Sequence, residues 1–112
     1  GWSIHLGSAA CTPRQGPTTV PTECANGNRV SVDLRTIDLG RDLVAFDLGT
    51  LLAGSNVDLV SDQSAGCMSG PRDGDCEALL PQFGLPWGTR PAGEQKVFAA
   101  RPVGMATASG QQ

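Results

Sequence analysis

Apolar and polar residues alternate in several short runs along the chain, and these runs predict its elements. WSIHL, residues 2–6, places Trp2, Ile4 and Leu6 on one side and Ser3 and His5 on the other, the period-2 pattern of a half-buried strand. His5 therefore leaves the apolar face. RVSVDLRTIDL, residues 29–39, alternates through Val30, Val32 and Leu34, then changes phase at Ile37 and Leu39, which predicts a strand with a bulge or short turn near Arg35-Thr36. LVAFDL, residues 43–48, predicts another strand with Val44, Phe46 and Leu48 on its inner face. Asp47 is placed to cap a helix of about two turns, because Leu48, Leu51 and Leu52 share a helical face and Gly54 can end it. VDLV, residues 57–60, is a short apolar run, and QKVFAARPV, residues 95–103, offers one more strand through Val97 and Phe98.

Between these runs the chain is rich in turn formers. Residues 7–28 carry three prolines with several Gly and Asn, so they read as a loop unable to sustain a regular element beyond a few residues. Asp73 or Asp75 can cap a helical turn through EALL, but Pro81 shortens or breaks it. Leu79, Leu80, Phe83 and Leu85 are expected to seal the edge of a core. Residues 102–112 show no periodic apolar pattern and read as a flexible tail, mobile unless bound. The total is four or five short strands with short helical turns. That is an all-β fold, a β-sandwich or half of a larger one, because a complete sandwich has about seven strands.

The sequence of 112 residues is one domain by length. A net charge of -3 from 8 basic and 11 acidic residues leaves no basic patch for nucleic acid. No apolar run reaches the roughly 18 residues needed for a membrane span. Gly1 begins the chain inside a predicted strand, so a processed product, or a piece of something longer, is expected.

The 4 cysteines form two close pairs, Cys11 with Cys24 and Cys67 with Cys76, which points to an oxidising compartment. Three pairings are formally possible. The two local ones are favoured because each intervening loop is rich in residues that bend easily, and each bridge then stabilises by roughly 3 kcal/mol through loop closure. Zinc and thiol redox chemistry are weaker readings, since neither pair has the CxxC spacing those sites use. The CMSGPRDGDC segment, residues 67–76, reads as a surface loop stapled because it has no core of its own.

Other chemistry is sparse. Asp73, Asp75 and Glu77 do not follow the order of a calcium loop and read as caps and solvated charges. Met68 and Met105 could meet Cu(I), but packing or exposure explains them better. His5 is the single histidine, and no acid-base pair can be assigned, so an enzyme is not expected. A lone imidazole cannot hold copper specifically, and any metal site using His5 must be shared.

HLGSAAC at 5–11, CANGNR at 24–29, DLVAFDLGTLLAGS at 42–55, and GCMSGPRDGDC at 66–76 followed by FGL come in one order. In that order they resemble the copper-binding MbnP family, also described as the metallo-mystery-pair four-cysteine family. The resemblance covers residues 1–101. It implies a β-sandwich protein of the periplasm or outer surface of a Gram-negative bacterium, often encoded beside a MauG-like dihaem enzyme. His5 corresponds by position to a copper ligand, and Cys11, Cys24, Cys67 and Cys76 to the four-cysteine pattern. The family's chains are longer, and these blocks form their C-terminal half. The resemblance therefore implies that the N-terminal half, or another chain, completes the sheet. The reading from another class is a non-catalytic accessory subunit, which uses the stapled scaffold to dock on a larger complex.

Overall fold

A computed structural model describes residues 1–12, 20, 23–58 and 65–104. Six short strands are present: β1 (Ser3–Ile4), β2 (Ala9–Thr12), β3 (Glu23–Asn26), β4 (Asp42–Phe46), β5 (Gly66–Cys67) and β6 (Phe98–Pro102). They pair as three separate two-stranded ribbons, β1 with β5 in parallel, β2 with β3 and β4 with β6 antiparallel. The fold is all-β and incomplete, as expected.

The core lies where the ribbons meet the turns after the second disulfide. Leu51, Cys67, Cys76, Leu79, Leu80, Phe83, Leu85 and Val97 are buried together, with Trp2, Ile4 and Phe98 among the partly buried residues packed around them. Leu79, Leu80, Phe83 and Leu85 were expected at the edge; they form the centre. Pro81 explains the geometry. It cannot sit deep in an α-helix, so the segment breaks into two 3-10 turns, Gly74–Cys76 and Leu80–Phe83, with Pro81 in the first turn of the second. Gly84, at φ 78°, ends that turn, and the Leu85 amide donates back to the Leu80 carbonyl at 3.1 Å. Leu79, Leu80 and Phe83 are all turned inward as a result.

The helix α1 (Leu48–Leu52) forms where the sequence places it, shorter than two turns. The Thr50 amide donates to Asp47 Oδ1 at 2.9 Å, and Leu51 is its buried residue. Gln82 Nε2 donates to the Thr50 carbonyl at 2.7 Å, tying α1 to the second 3-10 turn. Gln95 Oε1 accepts the amides of Val97 and Phe98 at 2.9 and 2.8 Å, which sets the start of β6.

Three expectations change. Residues 7–28 are not all loop: β2 and β3 form a hairpin base in which Cys11 lies directly opposite Cys24, so the bridge pins a strand register. Residues 29–39 turn at Arg35-Thr36 as expected, with the Ile37 amide on the Leu34 carbonyl at 3.1 Å, but form no strand. Alternation alone does not make a ladder, and this stretch meets no strand partner among the described residues. Val44, Phe46 and Leu48 are exposed, whereas Leu43 and Ala45 are half-buried, so the larger side chains of this segment are not buried as their alternation suggested. The expectations for residues 59–60 and for the tail from residue 105 lie outside the described residues.

Candidate functional site

His5 follows β1 and is held by its main chain. Its amide donates to the Cys67 carbonyl at 2.8 Å, extending the β1–β5 pairing by one bond. Its carbonyl accepts the Ser69 hydroxyl. The same Ser69 Oγ accepts the Gly7 amide at 3.0 Å, so one hydroxyl spans both sides of Leu6. Asn28 closes the bracket, its Nδ2 donating to the carbonyls of Gly7 at 2.8 Å and Ser69 at 3.3 Å. The His5 residue itself remains exposed. A solvent-facing imidazole thus stands on a backbone fixed from two other segments.

Ser69 and Asn28 carry positive φ, 65° and 49°, and Ala10 nearby in sequence has φ 53°. Such backbone is uncommon for residues other than glycine, although Asn is enriched in it. Asn28 follows Gly27 in the turn-forming run NGN, so part of this signal stood in the sequence. Nothing in the sequence marked Ser69, which is 3% exposed.

The Cys67–Cys76 segment is not the surface loop expected. Both cysteines are completely buried, and their bridge is part of the core. The two aspartates between them face the loop's own backbone. Asp73 Oδ2 accepts the Met68 amide at 2.7 Å and Oδ1 the Asp75 amide at 3.1 Å, while Asp75 Oδ2 accepts the Gly66 amide at 2.9 Å. Inward carboxylates satisfy amides that the tight loop would otherwise leave unpaired. Glu77 is exposed and Met68 half-buried, so neither gathers with them around an ion. Trp87 packs against the core with its indole N–H on the Gly70 carbonyl at 3.1 Å.

A cleft of about 350 Å³ lies between the end of the β2–β3 hairpin and the second 3-10 turn, with Asn28, Arg29 and Ser31 at its rim and Phe83 and Leu85 in its lining. His5 is not part of it.

No family model matches this chain, and no curated protein matches it. Among solved structures, MbnP from Methylosinus trichosporium is similar, with a TM-score of 0.68 and 26% identity over 91% of this chain. The chain is a partial match of MbnP. It spans 39% of the MbnP chain, so the matched stretch is one part of that larger structure.

The described residues of this MbnP-like chain do not build a copper centre by themselves. No group of three or more His, Cys, Asp or Glu side chains converges among them, and all four cysteines are bridged. Ser69, the hydroxyl that does reach His5, meets its carbonyl and not its ring, so no nucleophile-base pair is formed there. No helix among the described residues is long and apolar enough to cross a membrane.

Proposed function

We propose that this chain is part of a periplasmic copper-binding protein of MbnP type, in which His5 contributes one imidazole to a site completed by residues outside those described. The observation that carries this reading is the exposed His5 ring on a backbone pinned by Cys67 and Ser69. A ligand group whose main chain is already ordered loses less freedom when a metal binds. Imidazole suits copper, and the need for further donors is the reason the site is shared. Two bridges suit the oxidising periplasm. A MauG-like dihaem enzyme is the partner that this reading carries with it, and the chain itself performs no catalysis.

The test is metal analysis and electron paramagnetic resonance of the whole gene product containing these residues, compared with its His5→Ala variant. Lower copper content, or a changed signal with loss of nitrogen coupling, is expected. Equal copper and an identical spectrum would remove His5 from the site.

The exposed Val44, Phe46 and Leu48 favour a second reading, a scaffold subunit that docks on a larger assembly. Intact mass and copurification separate the two. A longer product retaining copper supports the first reading, and a short chain always recovered in one complex supports the second.

A further inference from the structure

The β4–β6 ribbon carries the core outward to an apolar face. Phe83 belongs to the core, its ring centroid lies 6.4 Å from that of Phe98, and Phe98 meets Phe46 edge-on at 5.3 Å. Phe46 is 50% exposed, and Val44 and Leu48, two residues to either side, are each 54% exposed. The register sets Phe46 opposite Phe98 and Val44 opposite Ala100. Directly opposed residues share a face, so Val44, Phe46 and Phe98 form one surface, and Leu48 follows it in the chain as the first residue of α1. Isolated exposed apolar residues need no explanation, but a contiguous face that continues the core marks a contact. The ribbon has two strands, and a sheet of that width is marginal without a third strand or a covering element.

The match takes in 91% of this chain but 39% of MbnP, so more than half of that longer chain lies outside the matched part and is available to cover such a face. We propose that the face formed by Val44, Phe46, Leu48 and Phe98 is the seam at which these residues join the remainder of a single polypeptide of MbnP's proportions. Its occupant is a strand-bearing segment of that remainder, with apolar residues directed at Phe46. This inference rests on the MbnP-like reading but not on His5 or copper, so loss of the copper assignment leaves it standing.

The test compares the 112-residue chain with the full product of the gene that encodes it. Both are labelled by carbene footprinting and read residue by residue by mass spectrometry. Labelling of Val44, Phe46 and Leu48 is expected to fall several-fold in the full product, while Leu39, also exposed but outside the ribbon, labels alike in both. Phe46→Lys in the full product is expected to restore labelling at Val44 and Leu48. Equal labelling of the three residues in both forms would overturn the seam, as would a gene encoding nothing beyond these residues. Self-association of the full product through this face, abolished by Phe46→Lys, would assign it to a second copy and also overturn the proposal.

Discussion

The Ser69 hydroxyl donates to the His5 carbonyl and accepts the Gly7 amide, so a single side chain from the disulfide loop holds the strand end that carries the imidazole. Removing it leaves both main-chain groups without that partner. Ser69→Ala is expected to lower stability by roughly 1–2 kcal/mol, within the range for a part-buried hydrogen-bonded group. Urea unfolding measures the loss, and amide exchange at Gly7 should accelerate with it. Ser69→Gly should restore some stability by relieving the positive φ at this position while leaving the Gly7 amide equally fast. Unchanged Gly7 exchange in both variants would show that the bracket does not hold His5.

Gly66 has no alternative in this fold. Its φ is 109°, and a Cβ built there lies 1.8 Å from the Ser3 carbonyl oxygen, across the parallel β1–β5 pairing. Gly66→Ala must push β1 away from β5 and open the core beside Cys67. A loss on the order of 4 kcal/mol or more is expected, in the exceptional range for a point substitution. Gly27→Ala is the control, since a Cβ there meets nothing within 4 Å. Thermal unfolding of the two variants should differ widely, and similar melting temperatures would contradict the close approach.

The two bridges should differ in consequence although their loops, with sequence separations of 13 and 9, are worth a similar amount, about 3 kcal/mol each by closure entropy. Cys11–Cys24 pins a half-buried hairpin, whereas Cys67–Cys76 is wholly buried in the core. Replacing Cys67 and Cys76 by Ala adds a packing defect to the entropic loss. The double variant is expected to lose cooperative unfolding, while Cys11→Ala with Cys24→Ala retains it at a lower midpoint. Calorimetry checks both, and equal midpoints would refute the distinction.

Sequence patterning located most elements but not the side each one turns inward. Asp47, Leu51 and Gly54 announced α1, and the phase change at Arg35-Thr36 announced a turn. Val44 and Phe46 were read as inward because alternation separates two faces without saying which is covered. That choice depends on a covering neighbour, and on this side Phe46 meets Phe98 of the paired strand yet stays half exposed. The loop between Cys67 and Cys76 looked external because it is polar. Its carboxylates instead serve Gly66, Met68 and Asp75 amides, so the polar groups are satisfied while the cysteines enter the core. For the candidate site, the outward position of His5 was legible from Trp2, Ile4 and Ser3. The support from Ser69 was not, since it joins residues 64 positions apart.

Asp47 gives the fold a defined dependence on acid. The Thr50 amide, then the Thr50 side chain, hydrogen-bond its carboxylate and hold its pKa below the ordinary Asp value; desolvation opposes them more weakly, and Arg101 and the Gly49 amide add lesser effects in the lowering direction. A carboxyl depressed by folding binds its proton more readily in the unfolded chain. Its contribution is therefore fully present above the unfolded-state value and is lost as pH falls through that value toward the lower folded one. Asp47→Asn removes the titration but keeps a side-chain oxygen able to accept from Thr50. Melting temperature measured from neutral pH down into the acidic range should fall less steeply for Asp47→Asn than for the parent. Parallel curves would mean that the cap's charge contributes nothing to the stability of α1.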